Sequence, residues 1–199
     1  MRREDVVGLR YITHVANVRS IETMGILCHR AASRHDHVTI AAADIQDRRR
    51  GKTVPQGMPL HRYANLYINA RNKMMYRVVH EQDVRNVCVI DVAADVMDLE
   101  GAVVSDQNAA SGYARFAPLP VGLDRLDAKE VFAESWLDPH DQVAEWRLGS
   151  IMCAEVLIPQ AVEPRYLQGV FVTDRPTRDR VVGEGIRLPV QVEPRLFFG

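Results

Sequence analysis

The chain has 199 residues, of which 47% are hydrophobic and 26% charged, with a formal net charge of -1. Such a length can bury a full core in one domain without staples, and the composition excludes a low-complexity or disulfide-scaffolded chain. Near-neutral charge provides no global pull on nucleic acid, so any such binding has to be local.

The first predicted strand is Val7-Gly8-Leu9-Arg10-Tyr11-Ile12, running into Thr13-His14. Asn17 is placed to cap a helix whose apolar stripe is Val18, Ile21 and Met24, and Gly25 supplies its stop. Residues 29 to 62 are polar with few periodic apolar positions and read as a long functional loop. Leu66 to Ala70 and Val87 to Val92 read as strands. Asp127 and Glu130 form a capping-box pattern opening a helix with Val131, Phe132 and Trp136, closed by Pro139. A second helical stretch spans Val143 to Leu148. Ile151 to Ile158 reads as a buried strand, and Gly169 to Thr173 and Ile186 to Val192 add two more. Strands outnumber helices without strict βαβ alternation, which predicts an α+β fold. Three cysteines (Cys28, Cys88, Cys153) are scattered in or beside apolar stretches, as expected of buried thiols in a reducing compartment. No run of about 18 apolar residues and no secretory leader pattern is present, so a cytoplasmic location is expected.

Glu155 is the most informative position. It lies within the apolar run from Ile151 to Ile158, on the face shared with Cys153 and Leu157. A buried carboxylate costs several kcal/mol unless a cation or a cleft compensates it, so the position resembles an active site or, alternatively, a solvated edge strand. Asp47-Arg48-Arg49-Arg50-Gly51-Lys52 is the densest basic cluster. It reads either as a solvated charge run or as an anion grip with one arginine turned inward. His14 ends a rigid strand and either contacts a ligand or satisfies a turn. His35 and His37, with His29 nearby, lack the second ligand group of a metal site, so no metal is expected. Asn65 to Arg77 interleaves aromatic and methionine side chains with cations, suited equally to stacking on bases and to core packing. Walker, dinucleotide-fingerprint, zincin and nucleophile-elbow motifs are all absent.

Taken together and in order, these blocks resemble the DarT-type DNA ADP-ribosyltransferase toxins of bacterial toxin–antitoxin systems. Tyr11 to Asn17 is similar to that family's opening strand-to-helix motif, and Gly25-Ile26-Leu27 to its helix end. Asp44 to Arg49 is similar to its arginine motif, and Tyr63 to Tyr76 to its central strand and following loop. Ser105 to Ala110 is similar to its acidic-asparagine turn, and Ala154 to Ile158 to the strand with its catalytic glutamate. The likeness runs from about residue 9 to residue 172. It departs at Lys73, where proline is expected, and at Gln107, where glycine is expected.

The resemblance implies an ADP-ribosyltransferase-like α+β fold with a central split sheet, as one domain. It implies cleavage of NAD at the nicotinamide ribose bond and transfer of ADP-ribose to thymine or guanine in single-stranded DNA, without a metal. Glu155 would stabilise an oxocarbenium-like transition state and help deprotonate the base. Arg49 would grip the NAD phosphates or polarise the base. Thr13, His14, Asn17 and Gly25 would belong to the NAD site, the segment from about 106 to 154 would present the target base, and Arg71, Lys73 and Arg77 would contact DNA phosphates. A neutralising antitoxin is the implied partner, with no membrane. RNA as the target, a non-catalytic nucleic-acid-binding module, and a hydrolase built on His35 and His37 are the competing readings.

Overall fold

The computed structural model describes residues 1–199. The amino-terminal part holds β1 (Gly8–His14), α1 (Val18–Met24), β2 (Ile26–Leu27), α2 (His29–Ala32), α3 (Ala43–Arg50) and β3 (Tyr63–Tyr67). The middle holds α4 (Lys73–Glu81), β4 (Val87–Ala93), β5 (Val103–Ser105), β6 (Phe116–Pro118), α5 (Ala128–Val131) and α6 (Gln142–Ile151). The remainder is β7 (Glu155–Pro159), β8 (Ala161–Val162), β9 (Leu167–Val172), α7 (Arg175–Gly183) and β10 (Val190–Val192).

Eight strands form one sheet in the order β10-β9-β4-β1-β3-β7-β5-β6, while β2 and β8 make a small separate ribbon. All neighbours in the large sheet are antiparallel except β10 and β9. β1 follows β4 from Gly8 opposite Ala93 to His14 opposite Val87, yet it meets β3 only at Arg10 opposite Tyr67. The sheet is therefore split at its centre, with β1 and β3 splaying apart beyond that pair. Continuous apolar runs explain why the central strands are covered on both faces: Val87, Cys88, Val89 and Ile90 are all fully buried.

Several local expectations need correction. Residues 29 to 62 are not a structureless loop, because α2 and α3 lie within them. α3 has no apolar stripe, and its single buried side chain is Arg49, so hydrophobic periodicity could not reveal it. The segment after Tyr67 is a helix, α4, rather than a loop. Asn72 caps it by accepting hydrogen bonds from the N–H groups of Met74 and Met75. The run from Ile151 to Ile158 divides: Ile151 ends α6, and the strand begins at Glu155 itself. The helix opened by Asp127 lasts one turn, although Trp136 beyond it is buried.

Candidate active site

Glu155 stands opposite Tyr67 of β3 on one side and Ser105 of β5 on the other, at the first rung of β7. Its side chain is fully buried. The Arg49 Nη1 donates to both carboxylate oxygens at 3.0 Å, and the Ala109 N–H donates to Oε1 at 3.0 Å. The two partners of the ion pair are 6% and 0% exposed. A pair so deeply desolvated is weak evidence of a stability device, since an apolar pair of the same volume would often serve better. It is what a preorganised charge site requires.

Helical spacing explains why Arg49 and not its neighbours reaches inward. Arg48 and Arg50 are exposed and paired with Asp44 at 2.6 Å and Asp47 at 3.0 Å. Arg49 is the one buried side chain of α3, and Lys52, just past the Gly51 C-cap, also turns inward. Lys52 donates from Nζ to the carbonyl of Ala109 at 3.1 Å and to that of Ser111. Burial, and then the Arg49 charge, lower the Lys52 pKa, with Glu155 acting in the opposite direction. Tyr67 is pushed well above the ordinary phenol range, first by burial and then by the Glu155 charge beside it.

A cavity of about 1700 Å³ opens where β1 and β3 splay. Arg49 forms part of its wall, whereas Glu155 lies behind Arg49 and out of the wall. Thr13 and Asn17 also line it. Asn17 occupies the N-cap position of α1, but its side chain makes no capping hydrogen bond there. Its side-chain amide donates to Thr13 Oγ1 at 3.1 Å and to the Val38 carbonyl at 2.8 Å, and its carbonyl accepts from the Val38 N–H at 2.9 Å. Asn17 thereby fastens the 38–42 stretch to the cavity rim. His29 and His61 line the same cavity, stacked with ring centres 4.1 Å apart.

Three residues expected in the site stand off the cavity. The His14 Nδ1 accepts from the Ala16 N–H, so its ring caps the turn after β1, and Arg180 of α7 lies on that side. Gly25 has φ of +81°, and a Cβ there would come within 2.0 Å of the Val162 carbonyl, so glycine is needed to close α1 against the β2–β8 ribbon. Arg71 donates to the Glu134 carbonyl and lies over the Phe198 ring at 4.4 Å, which makes it a packing residue rather than a free phosphate contact. Lys73 and Arg77 do face the cavity from α4, with Arg77 held by Glu81 at 3.4 Å.

The structure adds residues that sequence reading missed. Tyr113, 88% exposed on the 106–115 turn, and Trp146, 58% exposed on α6, line the cavity mouth. Trp146 shares its helix face with Val143 and Arg147, a pattern indistinguishable in sequence from a core stripe. Tyr67 and the Ala109 N–H become visible only once β7 is registered against its neighbours.

A split sheet with an arginine-held carboxylate behind a large cleft defines a site for charge-separating chemistry at a polar substrate. Residues 10–198 match the family model described as "ssDNA thymidine ADP-ribosyltransferase, DarT". The chain belongs to that family. It is 27% identical over 201 residues to a DNA ADP-ribosyl transferase–DNA ADP-ribosyl glycohydrolase fusion protein of Thermosipho africanus, which covers 96% of this chain and 49% of the relative. The chain thus spans about half the length of that curated relative. The structure of Thermosipho africanus DarTG in complex with ADP-ribose superposes with a TM-score of 0.82 at 27% identity, over 96% of this chain and 51% of that one. Thermus sp. 2.9 DarT in complex with ADP-ribosylated ssDNA shares the fold with a TM-score of 0.81 at 24% identity, over 97% of each chain.

Proposed function

We propose that this chain transfers ADP-ribose from NAD to thymine in single-stranded DNA and releases nicotinamide. The observation that carries the reading is the fully buried Glu155, held by Arg49 and the Ala109 N–H behind the wall of a cleft large enough for a dinucleotide and a base. The bond between the ribose C1′ and the nicotinamide nitrogen breaks, nicotinamide leaves with the electron pair, a thymine nitrogen bonds to C1′, and the nitrogen's proton passes to the site.

Arg49 is the wall residue nearest the carboxylate and offers its remaining guanidinium N–H groups to the pyrophosphate or to the attacking base. Glu155, once Arg49 is shared with substrate, stabilises positive charge developing on the ribose and accepts the proton. Thr13 and Asn17 hold the rim where β1 ends. Lys73 and Arg77 on α4, with Tyr113 and Trp146 across the mouth, form a face of cations and aromatic rings suited to a single strand. Thymine is preferred over guanine because the matching family model carries that description.

The glycohydrolase half of the Thermosipho relative suggests the partner. An activity that removes the ADP-ribose from DNA would neutralise this chain and make the two a toxin–antitoxin pair. Purified protein incubated with NAD and oligonucleotides, with and without thymine, tests the reading by mass. One added ADP-ribose on thymine-containing strands alone supports it. No mass gain on any strand refutes it, and a gain on thymine-free strands moves the target base.

A further inference from the structure

The basic cluster at the end of α3 contains a second inward cation, and the reaction as described gives it no role. Lys52 does not line the cavity, so it is not placed to touch a substrate phosphate. Its backbone is fixed at both ends: the N–H donates to the Arg49 carbonyl at 3.1 Å, and the carbonyl accepts from the Leu60 N–H at 2.9 Å. From that anchored position its ammonium spans to the carbonyls of Ala109 and Ser111. An ammonium with three donors on a flexible stem can satisfy two carbonyls that point at one spot.

The turn it grips is closed by the Ser111 N–H donating to the Asn108 carbonyl at 2.8 Å, and it has three ties besides. The Asn108 N–H donates to the Ser150 carbonyl at the end of α6 at 2.9 Å, and the Asn108 side chain accepts from the Ala110 N–H at 2.9 Å. The third tie is the Ala109 N–H to Glu155. Ala109 itself is fully buried in a small apolar cluster with Val54, Leu60, Tyr63 and Leu157. One peptide turn therefore receives Lys52 on the carbonyl of the residue whose N–H orients the carboxylate. The same turn continues to Tyr113 at the cavity mouth.

We infer that Lys52 is a positioning residue for Glu155, acting through the Ala109–Ser111 turn. This rests on the transferase reading above for its kinetic consequence, though not for its structural one. Arg49 and Lys52 form a two-pronged grip from one helix end, the first on the carboxylate and the second on the peptide that completes the carboxylate's hydrogen bonds. Without Lys52 the Ala109 carbonyl loses its only hydrogen-bond donor, and the turn is free to withdraw the N–H from Oε1. A displacement of that kind costs rate rather than binding, because the carboxylate acts where charge develops.

The test compares wild type with Lys52→Met and Lys52→Arg in two measurements on the full chain. The first is amide hydrogen exchange across residues 106–115, which is independent of any reaction. The second is transfer to a thymine-containing oligonucleotide, resolved into kcat and KM for NAD. Lys52→Met is expected to speed exchange at the turn and to lower kcat by about tenfold to a hundredfold, with KM for NAD little changed. Lys52→Arg is expected to restore much of both. Unchanged exchange in Lys52→Met overturns the inference whatever the activity. A rise in KM with kcat preserved also overturns it, because that is the signature of a direct phosphate contact. Should Lys52→Met fail to fold, Lys52→Gln carries the same comparison. Absence of transfer by wild type would refute the transferase reading alone, leaving the exchange measurement to decide the role of Lys52.

Discussion

Arg49 and Glu155, 106 positions apart in the chain, meet in a buried two-oxygen contact at 3.0 Å that joins the end of α3 to the start of β7. Replacing Arg49 by methionine leaves the carboxylate buried and unpaired, which is expected to cost about 3 to 5 kcal/mol in a denaturant titration. The double variant Arg49→Met/Glu155→Leu removes both charges and is expected to recover most of that loss. Additive losses in the two single variants and the double would show that the pair is not coupled.

The opening element was legible in the sequence, and its boundaries explain why. β1, α1 and the Gly25 stop were predicted because their apolar periods and glycine obey local rules. The same rules concealed α3, whose buried face is an arginine, and α4, whose buried Met75 and Val78 are interleaved with cations and the exposed Tyr76. Glu155 announced itself as a charge in an apolar run, and the basic cluster suggested one inward arginine. What remained hidden is non-local: Tyr67 opposite Glu155, the Ala109 N–H and the grip of Lys52 all depend on strand register and a turn more than forty residues upstream of Glu155.

Gly25 separates a backbone role from a ligand role. Gly25→Ala places a Cβ at φ of +81° against the Val162 carbonyl and is expected to cost at least about 1 to 3 kcal/mol, read as a lowered melting temperature. A variant that melts like wild type but loses NAD affinity would instead make this position part of the NAD site.

Trp146 and Tyr113 are exposed at the cavity mouth, so their removal should leave folding nearly unchanged. Trp146→Ala and Tyr113→Ala are each expected to weaken oligonucleotide binding by about 1 to 3 kcal/mol, the usual worth of one stacked base. Fluorescence titration with a labelled single strand measures it. Wild-type affinity in both variants would remove these rings from the DNA face.

His29 and His61 carry a pH dependence of stability. Each is held below the ordinary histidine range, first by burial and then by neighbouring imidazoles and the Arg49 and Arg50 charges. The unfolded chain, with histidine pKa near about 6.5, therefore takes up protons first on acidification. Stability from this pair is present above that value and is lost as pH falls from there through the lower folded-state values. Melting temperature is expected to decline as pH falls below about 6.5, and less steeply in His29→Asn/His61→Asn. Equal slopes would show that other groups set the dependence.

Nicotinamide release by Glu155→Gln, measured beside wild type on NAD with a thymine-containing strand, most directly asks whether the buried carboxylate is there for chemistry. Glutamine keeps the shape and one acceptor oxygen for the Ala109 N–H while removing the charge. The expected result is a folded variant whose release rate falls by at least about a hundredfold, comparable to loss of a principal electrostatic group. A Glu155→Gln protein that releases nicotinamide and modifies DNA at the wild-type rate would contradict a catalytic role for Glu155 and leave the Arg49 pair as a structural feature.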